Sequence, residues 1–192
     1  MAVVFVNYYP QPPLPVKEIM RYAKFGGDAL PPEAEACLQS LPAVCGRVCW
    51  AAFDVAPTPT GLDLGFAKTD SEQLKKNLSG CPKAVLFAAT AGVEFDRLVM
   101  KYERLSPARA LWYQSIGAAC VESVCDLFCA ETQALFGKTK PRFSPGYGDL
   151  PLEMQTEIFR ALQPEKHIGV TLNENLFMTP TKSVTAIVGI SG

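Results

Sequence analysis

The sequence predicts an α+β fold in a single domain spanning residues 1–192. Three observations predict it. Residues 83–90, built on the continuous apolar run 84–89, read as a strand buried on both faces. Residues 107–135 hold one proline-free stretch after Pro107, which reads as a long helix. The remaining helical and extended segments follow one another in mixed order. Strict alternation would point to a doubly wound parallel sheet, and it is absent.

The elements follow in chain order. Residues 1–15 read as an extended N-terminal arm, since prolines crowd residues 10–16. A short helix over 16–25 is stopped by Gly26-Gly27, and Pro31-Pro32 opens a second through Leu41. Residues 43–55 are rich in β-formers and meet a Pro/Thr turn at 57–61, with 62–66 as the hairpin partner. Thr69 and Glu72 have capping-box spacing for a helix ending near Gly80. After the 83–90 strand, a helix opens at Gly92 and runs to Leu105. In the long helix that follows, Ile116, Cys120, Val124 and Phe128 share a stripe that should face the core. An amphipathic helix covers 151–162, and strands at 170–172 and 183–190 complete the chain.

Composition excludes several classes. The chain has 192 residues, 48% hydrophobic and 19% charged, with a net charge of −1. That is a globular composition with enough apolar mass for one core. No Lys/Arg cluster tracks a phosphate backbone, so nucleic acid is not an expected partner. The longest apolar stretch, residues 84–93, is far too short to span a membrane. The first ten residues lack a basic region and a cleavage site, so no signal peptide is predicted and the expected location is cytoplasmic. There are seven cysteines and no CxxC pair. Cys45/Cys49 and Cys125/Cys129 are four apart, unlike zinc or iron–sulfur spacing, so reduced thiols and no bound metal are expected.

The most informative stretch is Arg142-Phe143-Ser144-Pro145-Gly146-Tyr147-Gly148-Asp149-Leu150-Pro151. It combines a planar cation, an aromatic hydroxyl, two prolines that fix φ and two glycines that let backbone approach a ligand. Asp149 is placed to cap a helix that begins at Pro151. Two readings stand for these residue types. One is a site for a small ligand bearing a carboxylate or phosphate. The other is a Pro/Gly turn with a surface arginine. Glu122 lies mid-helix among small and apolar residues, where a carboxylate needs a partner or must face solvent beside Asp126.

A second segment tips the balance: Ile168-Gly169-Val170-Thr171-Leu172 and, further on, Ser183-Val184-Thr185-Ala186-Ile187. With the R-x-x-x-G-Y-x-x-x-P pattern of 142–151, their order and spacing resemble the activation domain of cobalamin-dependent methionine synthase. The resemblance is to its free-standing form, a short chain serving an enzyme that lacks its own activation module. It covers nearly the whole chain, more weakly before residue 40. It implies a bent, largely antiparallel sheet flanked by helices. It also implies two cofactors, S-adenosylmethionine held by the domain and a cobalamin carried by a partner protein. On this resemblance Arg142 grips the methionine carboxylate and the 144–146 backbone, at Ser144 and Gly146, meets the adenine edge. Tyr147 turns its hydroxyl toward the cobalt-facing side, with its ring near the sulfonium, and is the catalytic candidate. Glu122 falls where a carboxylate contacts the ligand, matched to its ammonium.

The chain also departs from the pattern. Leu152 and Glu153 stand where the fused enzymes carry a histidine after the G-Y pair. The tyrosine those enzymes supply beyond the last strand, and the aspartate from their N-terminal part, have no counterpart. His167, the only histidine, reads as a helix-terminal or surface residue. Glu174 with its flanking asparagines, and Lys182 with Ser183, are secondary candidates to line the site.

The implied function is reactivation of an oxidised methionine synthase. It couples one electron from a flavodoxin-like donor to methyl transfer from S-adenosylmethionine, forming methylcobalamin on a partner protein. Rival readings are a non-catalytic S-adenosylmethionine or corrinoid-protein binding module, an activator of another corrinoid methyltransferase, and a nucleotide- or phosphate-binding domain. The last lacks a P-loop and a G-x-G-x-x-G.

Overall fold

The structure, a computed structural model, describes residues 2–191. The chain runs β1 (Phe5–Pro10), α1 (Val16–Tyr22), α2 (Pro32–Gln39), β2 (Cys45–Asp54), β3 (Ala56–Thr58), β4 (Gly61–Asp63), β5 (Lys68–Thr69), α3 (Glu72–Asn77) and β6 (Lys83–Thr90). It continues α4 (Glu94–Tyr102), α5 (Pro107–Phe136), α6 (Met154–Leu162), α7 (Pro164–Ile168), β7 (Thr171–Leu172), β8 (Met178–Thr179) and β9 (Ser183–Ile190). The central sheet has the order β1-β2-β6-β9, every pair antiparallel. Two small sheets, β3-β4-β5 and β7-β8, sit beside it.

Alternation along the central strands sends side chains to two cores. Val48, Val85, Phe87, Ala186 and Val188 meet Val124, Cys125 and Phe128 of α5. Cys49, Leu86, Ala88 and Ile187 point the other way, onto Met154, Ile158 and Leu162 of α6. The first half of α5 builds a third cluster with α1, α2 and α4 around Ile19, Cys37, Phe95 and Tyr113. The predicted stripe of α5 is buried throughout, and it divides between cores: Ile116 and Cys120 face the helices, Val124 and Phe128 the sheet. The α5 axis lies close to β2 at Gly46, where an added Cβ would stand 2.3 Å from Val124. Among the described residues no helix is long and apolar enough to cross a membrane.

Several sequence expectations need correction. The 1–15 arm contains a strand: β1 pairs with β2 from Phe5↔Trp50 to Pro10↔Cys45. It is an edge strand with only Tyr9 buried, so its pattern lacks the apolar face that marks a strand. The strand is tied by the Trp50 indole N–H donating to Asn7 (3.0 Å) and the Tyr9 hydroxyl donating to Glu131 (2.6 Å). The 62–66 segment does not extend the 43–55 hairpin; β4 pairs with β3 and β5 in the small sheet. Helix α3 begins two residues later than a Thr69 cap requires, and Ser71 is its N-cap. Helix α6 starts at Met154, not Pro151, and Asp149 does not cap it.

Candidate functional site

The far edge of the sheet positions the site. Beyond β9, residues 138–143 run alongside it as an irregular extra strand. Ser191 donates to Lys138, Lys140 to Gly189, and Phe143 exchanges both backbone bonds with Ile187 at 2.9 and 2.8 Å. From Lys140 to Phe143 the chain advances three positions while β9 retreats two, from Gly189 to Ile187. That mismatch is a β-bulge, placed at Pro141, which has no N–H to pair. The bulge re-aims Arg142 at α5.

There Arg142 meets two carboxylates one helical turn apart. Its Nη2 donates to Glu122 Oε2 and its Nη1 donates to Asp126 Oδ1 at 2.6 Å. Arg142 and Glu122 are about three-quarters and two-thirds shielded, whereas Asp126 is open to water. A guanidinium has five N–H donors, so three remain after these two bonds. Glu122 keeps its second oxygen.

After Phe143 the loop folds on itself. Ser144 O accepts from Tyr147 N at 3.2 Å, with Pro145 and Gly146 (φ 85°) as the central residues. Proline first and a positive-φ glycine second define a type II turn. A second turn follows, with Leu150 N donating to Tyr147 O (3.0 Å) and Gly146 N to Leu150 O (2.9 Å). The expected free N–H at Gly146 is therefore already committed within the loop. Gly146 shapes the site without offering that donor.

Asp149 anchors the loop to α3. Its carboxylate accepts from the Ser71 hydroxyl and from the backbone N–H of Glu72 (2.8 Å) and Gln73 (3.3 Å). The Ser71 bond is the largest influence; with the N–H bonds it outweighs desolvation and holds the Asp149 carboxyl below its ordinary pKa.

Between this loop, β9 and α6 lies a cavity of about 350 Å³. It is lined by Arg142, Ser144, Tyr147 and Glu122, so four of the five predicted site residues converge on it, and Gly146 forms the turn behind. Tyr147 is 69% exposed and stands at the mouth. Ser183 also lines the cavity, but Lys182 and Glu174 do not. Lys182 is buried, and that burial lowers its pKa, partly opposed by Asp96. His167 sits in the last turn of α7, beside a different cleft. Two larger clefts, of about 570 and 680 Å³, border α6 elsewhere, but neither contains residues of the Arg142 loop.

Sequence reasoning missed Asp126, Gln155 and Thr185. Gln155 lies in the first turn of α6, and Thr185 on β9; both are buried and both line the cavity. Gln155 Oε1 and Thr185 Oγ1 are inaccessible to solvent and have no hydrogen-bond partner among the described residues. A signal was present. Gln155 interrupts a buried helical face with Met154, Ile158 and Leu162, and Thr185 shares the α6-facing side of β9 with Ile187.

Of the cysteines, Cys125 and Cys129 stand near Arg142 at this cavity. None lines it, and burial raises the thiol pKa of Cys49 and Cys120 to about 12. Among the described residues, no group of three or more His, Cys, Asp or Glu is arranged to hold a metal ion.

No protein-family model matches the chain, and no curated protein matches it. Among solved structures it is similar to the MetH reactivation domain bound to AdoHcy, with a TM-score of 0.71 and 14% identity. The match covers 97% of this chain and 78% of that one. An antiparallel sheet flanked by helices, matched over nearly its whole length, gives this chain the fold of the MetH reactivation domain.

Proposed function

We propose that the chain binds S-adenosylmethionine in the Arg142 cavity and supports reductive methylation of a cobalamin presented from outside this domain. The observation that carries the reading is the Arg142–Glu122 pair at the cavity wall. An amino acid carries a carboxylate and an ammonium on one carbon. A largely shielded guanidinium with spare donors, beside a carboxylate with a spare oxygen, complements both charges at once. Each residue holds the other in place before the ligand arrives, which lowers the ordering cost of binding.

The residues present fit the rest of the ligand too. A volume of about 350 Å³ lies within the range of small-molecule clefts. Ser144, Gln155 and Thr185 add polar side chains to its lining. Tyr147 at the mouth offers a ring face to a sulfonium. The similarity to a domain bound to AdoHcy, the demethylated form of S-adenosylmethionine, supports the ligand class. The chemistry is one electron added to cob(II)alamin and one methyl cation taken from the sulfonium, leaving methylcobalamin and S-adenosylhomocysteine. The role of this chain's residues is to bind and orient the methyl donor.

Calorimetry with S-adenosylmethionine tests the reading. Saturable binding is expected, and Arg142→Ala should weaken it by about 1.5–3 kcal/mol, the worth of a charged hydrogen bond. No binding by the wild-type chain, with or without a corrinoid protein, would sink it.

A further inference from the structure

At the edge remote from the Arg142 loop the central sheet is open. Strand β1 ends the sheet there, with β2 as its strand partner. Just past β1, the Gln11 N–H donates to Val44 O at 2.9 Å, continuing the β1–β2 register. In an antiparallel ladder such bonded pairs recur at every second residue. Phe5, Asn7 and Tyr9 therefore turn their backbone groups to β2, and Val4, Val6 and Tyr8 turn theirs outward. Among the described residues no backbone group meets those outward N–H and C=O groups.

Edge strands are ordinarily guarded by charge, proline, a bulge or a covering element, because an open row of backbone groups templates another strand. This one carries no charge, and the first charged residue of the chain is Lys17. Pro10 guards only its end. Exposed apolar side chains flank it on both faces. On the α6 side Tyr8 is 63% exposed, next to Val4 and Val6, which pack against the core. On the α5 side Phe5 is 50% exposed and stacks on Trp50, ring centroids 4.8 Å apart. Helix α5 passes over β1 here. Glu131 accepts from Asn7 and Tyr9, and Leu135, one turn on along the same stripe, is 66% exposed.

We propose that β1 pairs antiparallel with β1 of a second copy of the chain, joining two central sheets into one. The strand's own pattern selects that occupant. A two-fold contact needs a self-complementary surface, each residue meeting its opposite number reciprocally. Pro10 has no N–H to donate, so the register that uses Val4, Val6 and Tyr8 in full centres on Val6. Val6 then faces Val6 of the second copy, and Val4 faces Tyr8 in both directions. Each of these pairs exchanges two backbone bonds. Valine opposite tyrosine is a β-branched–aromatic pair, one of the kinds that stabilise a sheet. No like charges meet along the strand, and Glu131 is already bonded to Asn7 and Tyr9. The two-fold axis stands normal to the sheet, so both α5 helices lie on one face with their Leu135 turns toward each other. One contact covers the exposed apolar side chains of both edges. Pairing leaves the ligand cavity untouched, since the Arg142 loop lies beyond β9, at the opposite end of the order β1-β2-β6-β9.

Analytical ultracentrifugation of the full chain, from micromolar to near-millimolar concentration, tests the pairing, with circular dichroism to check the fold of each variant. Wild type should sediment as a reversible dimer. Tyr8→Pro removes one outward N–H per chain and no bond to β2. The dimer then loses two backbone bonds, and its dissociation constant should rise about tenfold or more. Val6→Lys and Val6→Glu should each be monomeric, because like charges meet at the axis, and an equimolar mixture of the two should dimerise. Wild type that stays monomeric throughout overturns the second copy as occupant and leaves the edge to a strand from another protein. A dimer left intact by Tyr8→Pro and by both Val6 variants also overturns the proposal, since its contact lies on another face. Growth beyond a dimer does the same, because a two-fold contact closes on itself. A mixture of the Val6 variants that stays monomeric overturns the Val6 register. Should partly buried Val6 not tolerate a charge, Tyr8→Pro and Tyr8→Lys, at an exposed position, decide alone: a dimer unchanged by both overturns the pairing.

Discussion

At the scale of single residues, Gly146 and Arg142 show what a sequence reveals and what it conceals. Pro145-Gly146 is a turn signal with a mechanism, and the structure makes it a type II turn with Gly146 at φ 85°. An alanine there would occupy a backbone region that L residues avoid, with its Cβ 3.3 Å from Leu152. Gly146→Ala should therefore cost about 1 kcal/mol or more of stability, read by denaturant unfolding, and weaken ligand binding by displacing Tyr147. Unchanged unfolding would mean that the turn has another conformation. Arg142 was legible as a carboxylate-binding cation, but not as the partner of Glu122 and Asp126. Nothing local to 142 says that a bulge turns its side chain onto a helix sixteen and twenty residues earlier in the chain. The same distance hid Gln155 and Thr185. Each is an ordinary polar residue until α6 and β9 are seen to flank one cavity.

At the scale of elements, legibility followed length and apolar continuity. Strands β6 and β9 and helix α5 begin and end within a residue of their sequence-based limits, because long unbroken apolar runs admit few alternatives. Short elements at the edge, β1, β8 and α7, escaped, since pairing partners rather than local pattern create them. Asp149 shows the same override. It has the sequence position of a cap for the helix that follows, yet it binds the N-terminus of α3, reached only through tertiary folding. This cap joins the Arg142 loop to the sheet-flanking layer, so Asp149→Ala should lower the melting temperature and loosen the loop. Its carboxyl is held below the ordinary value of 3.8. A depressed carboxyl contributes its stabilisation fully above the unfolded pKa and loses it as pH falls through the folded one. The melting-temperature gap between wild type and Asp149→Ala should thus be constant at neutral pH and shrink below about pH 4. A gap that persisted undiminished in strong acid would show that the carboxylate charge is not what anchors the loop.

At the scale of the whole molecule, the shape of the cavity bears on where the proposed reaction would take place. The cavity, at about 350 Å³, accommodates a nucleoside with an amino-acid tail but not a corrin macrocycle in addition. On the proposed reading a cobalamin would stand at the mouth, where Tyr147 is exposed, and the methyl donor would present its sulfonium outward. On that reading the domain would act as a holder for one reactant, and its contribution would be the entropy of alignment. The prediction is a coupled assay. A methionine synthase carrying cob(II)alamin, given this chain, S-adenosylmethionine and a low-potential flavodoxin-like donor, should form methylcobalamin, followed by the visible spectrum of the corrinoid. Omitting the electron donor or the S-adenosylmethionine should abolish it. Tyr147→Phe removes a hydroxyl and Glu122→Gln a negative charge at nearly constant volume, so both should slow the spectral change about tenfold, Tyr147→Phe without lowering the melting temperature. Equal rates with and without the chain would reduce its role to binding. A rate seen only with a corrinoid protein from another methyl-transfer system would keep the chemistry and reassign the partner, because on the proposed reading the cavity holds the methyl donor and the surface at its mouth, around Tyr147, meets the acceptor.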